Sequence, residues 1–332
     1  MTFHPATLAL HVSSILIAFM VLYSARYGIQ ILKSWNIESG SELQLALERK
    51  TYLISTLLAY TFGFQLFSLF LFIFTVDHLH ILFVGAMCAA GSLYVNGYGY
   101  PALILKIINF LLAGLWLILN YADNRGYDYP LTKKKYFLLL LITPFILTEM
   151  VLQWNYFLRL NPDVITSCCG SLFSTGAETM TSEIASLPSI PMKFAFYFTM
   201  ALTVASGTYF YLTNRGGYLL ASSSAAALLI SVLSIISFIS LYYYELPTHH
   251  CPFCILQKEY GYIGYPLYVA LLGGAVSGMG VGILMPFRKI ESLSAAMPSF
   301  QRRLALISFI LFALFVLLVT WRMTFSDFIL EV

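Results

Sequence analysis

The chain has 332 residues, 59% hydrophobic and only 10% charged, where an average soluble chain carries about 25% charged residues. That balance cannot coat a soluble globule of this size, and a formal net charge of +3 is too small to suggest a nucleic-acid binder. Five cysteines at uneven spacing do not form the disulfide framework of a small secreted domain.

A helix needs about 20 apolar residues to cross the hydrocarbon core. Candidates run at 7–31, 52–76, 78–98, 101–121, 136–160, 193–213, 218–244, 255–285 and 304–322. Thr51–Val76, Gly216–Tyr244 and Leu304–Trp321 contain no charged residue at all. Backbone polar groups in lipid must pair locally, so these stretches are helices, and the alternation of a barrel strand is absent. The N-terminal stretch Ala6–Tyr23 lacks a basic leader and a small-residue cleavage site, so it reads as the first span and not as a signal peptide. The expectation is an all-α, polytopic membrane bundle of about nine spans in a single domain.

Lysine and arginine in short loops set the orientation. Arg125 with Lys133, Lys134 and Lys135 marks one cytoplasmic loop; Arg215 marks a second, and Arg288, Lys289, Arg302 and Arg303 a third. The loops 161–192 and 245–254 then face outward, and both carry cysteines. The stretch 78–98 is the uncertain one. As a span it puts Lys33, Arg49 and Lys50 on the outer face. As a re-entrant segment it returns them to the inner face, and its small residues Gly85, Ala86, Ala89, Ala90 and Gly91 would let it break; Asp77, His78 and His80, otherwise interfacial polar residues, would then face outward and could join the cysteine site. The balance tips slightly to nine full spans. Further on, Gly274, Gly278 and Gly282 recur at every fourth position and predict close packing, with the small-residue run Ala221–Ala227 as the partner surface.

The chemistry centres on His249-His250-Cys251-Pro252-Phe253-Cys254 and Lys258. Cys251 and Cys254, placed at i and i+3 on the first turn of a helix, would share one face, close enough for a disulfide or a shared metal. Unpaired helix N–H groups there would favour a thiolate, and Pro252 suits the first helical position. His249 and His250 could supply protons or favour the thiolate electrostatically. A covalent haem site is excluded, because Ile255 follows the second cysteine where histidine is required. The bland alternative is a pair of small apolar residues at a helix start.

The run Cys251-Pro-Phe-Cys254-Ile-Leu-Gln257-Lys258 resembles the start of the second span in the DsbB family of bacterial membrane thiol oxidases. It is similar, more loosely, to the redox motif of the vitamin K epoxide reductase family. The likeness covers about residues 245–270. It implies a disulfide between Cys251 and Cys254 that takes electrons from a periplasmic thiol protein and passes them to a membrane quinone. Lys258 matches the basic residue near the quinone, and His249 would stand beside it. Lysine keeps the charge of the family's arginine but loses its planar fork.

Cys168 and Cys169 form a second pair, in an outward loop. The resemblance gives them the role of shuttle, although adjacent cysteines could bond to each other only with strain. Ser167-Cys168-Cys169-Gly170 also resembles the vicinal pair of mercuric transport proteins. A metal reading therefore stays open, with Cys168, Cys169, Cys251, Cys254, His249 and His250 as ligands for a soft metal such as copper or mercury. In the redox reading the catalytic set is Cys251, Cys254, Cys168, Cys169 and His250. A third possibility is a membrane subunit of a larger redox complex. An outward thiol site suits a bacterial inner membrane facing an oxidising periplasm.

Three polar features lie within apolar stretches. Cys88 reads as a small packing residue. His11 could ligate a haem or a quinone, though a lone histidine more often bonds a neighbouring helix. Glu149 is costly at such depth and marks a polar interior or a proton path, with Lys106 as its candidate partner.

Overall fold

The computed structural model describes residues 4–37, 39–166, 187–328 and 330. Cys168 and Cys169 lie outside the described residues. Among those described, every regular element is helical. The principal helices are α1 (Pro5–Ser34), α2 (Glu42–His78), α3 (Ala89–Tyr94), α4 (Gly99–Asp123), α5 (Thr132–Leu158), α6 (Ser189–Thr213), α7 (Gly217–Ser234), α8 (Gly264–Leu284) and α9 (Met297–Phe325).

Seven helical stretches among the described residues are long and apolar enough to cross a membrane. They are α1, α2 with its extension to Leu82, α4, α5, α7 with its extension to Tyr244, α8 with its extension to Phe287, and α9. The protein is therefore a multi-pass helical membrane protein, and the count of nine spans is not met. Helix α6 has 25 residues but is less apolar. The stretch 78–98 does not form a span. It makes a 3-10 turn at Leu79–Leu82, bends at Gly85 with φ +90°, and ends in the six-residue α3. Gly85 supplies a left-handed turn that other residues resist, and it interrupts the helix there.

The described residues cluster into two compact units, each taken by itself. The first contains α1, most of α2, α4, α5 and the stretch 286–300. Its core is apolar, with Leu58, Phe62, Trp116, Tyr136 and Ile142 buried together. Burial of such side chains is worth about 1.5–3 kcal/mol each when the alternative is water; within lipid the gain comes from packing and from interhelical hydrogen bonds. Trp116 Nε1 donates to the Lys135 carbonyl at 3.0 Å, tying α4 to α5. The loop after α1 and the loop after α4 lie at the same end of this unit, since Trp35 and Glu48 line one cavity with Asn124 and Tyr129. Lys33, Arg49, Lys50, Arg125, Lys133 and Lys134 are thereby gathered at one end, as the charge rule prefers for a non-crossing 78–98 segment.

The second unit contains residues 76–95, 161–285 and 301–332. Here the glycine stripe packs as expected. A Cβ added at Gly278 would lie 2.0 Å from Ser224 Oγ, and one at Gly282 would lie 2.4 Å from Ala221 Cβ. Those contacts are with α7, so α7 and α8 approach closely along the small-residue faces. Helix α7 does not stop at Ser234. It widens into a π-helical stretch, Ile235–Ile239, where Ser240 Oγ donates to the Ile235 carbonyl at 2.6 Å. A last α-helical turn, Ser240–Tyr244, leads into the cysteine loop.

Candidate functional site

The loop 245–263 is where the sequence reading of local structure changes most. Cys251 and Cys254 are not on the first turn of a long helix. Cys254–Leu256 and Lys258–Tyr260 are separate 3-10 turns, and α8 begins only at Gly264. Gly261 and Tyr262 both take positive φ, 64° and 57°, and two left-handed residues in succession interrupt any helix. The thiols therefore lack the dipole of a long helix. Locally they are served by single groups instead. The Phe253 backbone N–H donates to Cys251 Sγ at 3.4 Å. His249 Nε2 lies 3.3 Å from Cys254 Sγ.

Cys88 joins them. Its Sγ lies 3.5 Å from Cys251 Sγ, and the sulfurs of Cys88, Cys251 and Cys254 all fall within 4.8 Å of one another. Cys88 and Cys251 are fully buried, while Cys254 keeps 5% of its surface exposed. Cys88, which the sequence offered only as a small packing residue, thus lies in a cluster of three thiols. It sits just before α3, and the break at Gly85 is what brings it there.

Asp77 couples the two loops that carry the sulfurs. Its Oδ1 accepts from the Ala89 backbone N–H at 3.0 Å and from Gln257 Nε2 at 3.3 Å. Gln257 also donates to the Met87 carbonyl at 2.8 Å. So residues on either side of Cys88 and three beyond Cys254 are bonded through one carboxylate and one amide. His80 Nδ1 also bonds the Asp77 carbonyl.

Aromatic hydroxyls hold the other side. Tyr244 Oη donates to the Cys251 carbonyl at 2.5 Å and accepts from the Ile255 N–H at 2.9 Å. Its ring meets His249 edge-on, 4.5 Å between centroids. Tyr268 Oη donates to the Pro252 carbonyl at 2.5 Å. Burial, followed by the nearby Cys254, Glu259 and Cys251, pushes the Tyr260 hydroxyl above its ordinary pKa. The backbone around the cysteines is therefore fixed, which suits chemistry that needs sulfurs in a set geometry.

The remaining expected site residues fall as follows. His250 is buried and its Nδ1 donates to the Ile236 carbonyl at 2.8 Å; the histidine beside a cysteine sulfur is His249. Lys258 is exposed on the second 3-10 turn. The chain segment leading toward Cys168 is anchored near Cys88. Thr166 N donates to the Val84 carbonyl at 3.0 Å and Thr166 Oγ1 to the Gly91 carbonyl at 2.9 Å. Sequence reasoning missed Cys88 and Gln257 as members of the site; it brought Asp77 to the cysteines only if 78–98 did not cross, and the signal for that was the breakable run around Gly85.

Within the first unit, Glu149 is paired as expected. Lys106 Nζ lies 2.7 Å from Glu149 Oε1, Gln65 Nε2 2.6 Å and Asn109 Nδ2 2.5 Å from Glu149 Oε2. His11 has not found a helix partner; both its ring nitrogens are buried without a hydrogen bond, edge-on to Trp154 and Phe157.

Fold and site together define a multi-pass helical membrane protein with a buried cluster of three thiols. The chain matches no protein family, no curated protein and no solved structure.

Proposed function

We propose that the protein is a membrane thiol–disulfide oxidoreductase, passing electrons from a thiol partner to a membrane quinone. The observation that carries this reading is the 3.5 Å separation of the Cys88 and Cys251 sulfurs, with Cys254 in the same cluster. Thiol–disulfide exchange requires a thiolate to reach a disulfide sulfur directly. A third thiol beside a Cys-x-x-Cys pair allows exchange inside the protein as well as with a partner.

In the oxidised form Cys251 and Cys254 share a disulfide. A partner thiolate attacks Cys254, the more exposed sulfur, and the Cys251 thiolate leaves toward the Phe253 N–H. A second partner thiol resolves the mixed disulfide. The partner leaves as a disulfide, and Cys251 and Cys254 remain as two thiols. Two electrons and two protons then pass to the quinone, giving quinol and restoring the disulfide. His249 beside Cys254 accepts and returns a proton during exchange. The Cys88 thiolate can attack Cys251 of the Cys251–Cys254 disulfide, breaking that bond and releasing Cys254 as the thiolate, which leaves a second, internal disulfide at Cys88–Cys251. Cys168 and Cys169, two and three residues beyond the anchored Thr166, serve as the shuttle to the partner. The cysteine loops face an oxidising compartment, as in a bacterial inner membrane bordering the periplasm.

A second reading rests on the cluster's sulfur count. Zinc–thiolate bonds of about 2.3 Å put sulfurs roughly 4 Å apart, which suits three thiolates around one soft ion such as copper or mercury. Differential alkylation of the purified protein, with and without reductant, mapped by mass spectrometry beside metal analysis, separates the two. A reducible bond at Cys251 with no metal supports the enzyme. A stoichiometric soft metal on reduced thiols supports the ligand set. If Cys251→Ser oxidised partner thiols as fast as the unaltered protein, the enzyme reading would be lost.

A further inference from the structure

The first unit contains a cavity of about 470 Å³ at its basic end. That volume lies within the range of small-molecule sites, roughly 300–1,000 Å³. Four aromatic residues line it: Trp35, Tyr52, Tyr127 and Tyr129. Its charged lining groups are Glu48 and Lys135.

The two charges are not equivalent. Lys135 is already neutralised, with its Nζ 2.7 Å from Asp123 Oδ2 and 3.0 Å from Asn120 Oδ1. Glu48 accepts from Gln44 Nε2 at 2.8 Å, and among the described residues no cation lies within ion-pair distance of it. The uncompensated charge on the lining itself is therefore the Glu48 carboxylate; Arg49, Lys50, Arg125, Lys133 and Lys134 belong to the same end of the unit but do not line the cavity. Aromatic faces attract cations through their quadrupoles, and Lys50 already lies over the neighbouring Tyr27, 4.9 Å from its ring centroid.

The wall of the cavity is built in place. Asp123, fully buried, accepts from the Leu131 N–H at 2.7 Å and from Thr132 Oγ1 at 3.1 Å. Those bonds close the loop that carries Tyr127 and Tyr129. Tyr129 takes φ 48°, a left-handed conformation that residues with side chains seldom adopt. Thr51, at 5% exposure, lines the same cavity.

We infer that this cavity binds an alkylammonium group, held by the aromatic side chains and the Glu48 carboxylate. The cation's source is either the headgroup of a zwitterionic phospholipid or a free organic amine. The inference stands apart from the thiol chemistry of the second unit.

The test uses the full chain in detergent and in lipid nanodiscs. Ethanolamine hydrochloride is titrated calorimetrically against a sodium chloride control of equal ionic strength. In parallel, native mass spectrometry compares retention of phosphatidylethanolamine with that of phosphatidylglycerol. Saturable binding of ethanolamine without selective retention of the lipid identifies a free amine. Selective retention of phosphatidylethanolamine over phosphatidylglycerol identifies a lipid headgroup. In either case Glu48→Gln and Tyr127→Leu should weaken binding at least tenfold, and Tyr127→Phe should retain it. Tyr127 is 80% exposed, so its replacement leaves the fold intact, and thermal unfolding of each variant verifies this. The inference is overturned if neither probe binds saturably, or if Glu48→Gln and Tyr127→Leu both bind as the unaltered chain does.

Discussion

The Cys88 and Cys251 sulfurs stand 3.5 Å apart although 163 positions separate them in the chain. A disulfide needs about 2.05 Å between sulfurs, so a shift of under 2 Å would join them. On the oxidoreductase reading, mild oxidation of Cys254→Ser should therefore trap a Cys88–Cys251 disulfide, seen as a crosslinked peptide pair after proteolysis. Cys88→Ser should remove that species and lower thiol oxidation by about tenfold, or ~1.4 kcal/mol in the barrier. Full activity in Cys88→Ser would restrict Cys88 to packing.

Lys106 and Glu149 should behave as a unit. Breaking a buried pair by removing one partner costs about 3–5 kcal/mol, whereas replacing both with apolar residues is often neutral. Glu149→Leu should thus be strongly destabilised and Lys106→Met/Glu149→Leu partly restored, because the buried Gln65 and Asn109 amides still lose their acceptor; thermal unfolding in detergent reads both. If the double variant lost as much activity as the single one while folding normally, the pair would have a role beyond structure.

At Gly85 the space is closed as well as the backbone strained. An added Cβ would lie 2.2 Å from the Thr166 carbonyl oxygen at φ +90°. The left-handed conformation alone costs a non-glycine residue about 1–2 kcal/mol. Gly85→Ala should destabilise by more than that and raise the alkylation rate of Cys88, because the loop that buries it must move. An unchanged alkylation rate would mean that Cys88 is held by other contacts.

Gly278→Val tests the α7–α8 contact. Overpacking a filled interface typically costs about 1–3 kcal/mol, and here the first added carbon already meets Ser224 Oγ at 2.0 Å. A second change, Ser224→Gly, should recover part of the loss. No recovery would indicate that the two helices separate rather than adjust.

Membrane character, the α7–α8 packing and the Glu149–Lys106 pair were all legible in the sequence, since each rests on composition or on a local spacing. Cys88 was not. A cysteine among small apolar residues looks the same whether it packs or reacts, and its neighbours in space come from a distant loop. The onset of α8 was misread for a related reason. The apolar run continues from Ile255, but Gly261 and Tyr262 turn left-handed, and hydropathy carries no information about φ. Asp77 and Gln257 were invisible as a pair, being 180 positions apart.

The π-helical stretch Ile235–Ile239 acts as a phase setting for the thiol loop. An α-helix turns about 100° per residue, and a π stretch accommodates one residue more than an α-helical path would. Deleting one residue from 235–239 would restore regular winding and rotate everything after it by roughly that angle. Tyr244 would then swing off the helix face from which it bonds Cys251 and Ile255. The position of the cysteines is thus written partly into the winding number of a helix that contains none of them.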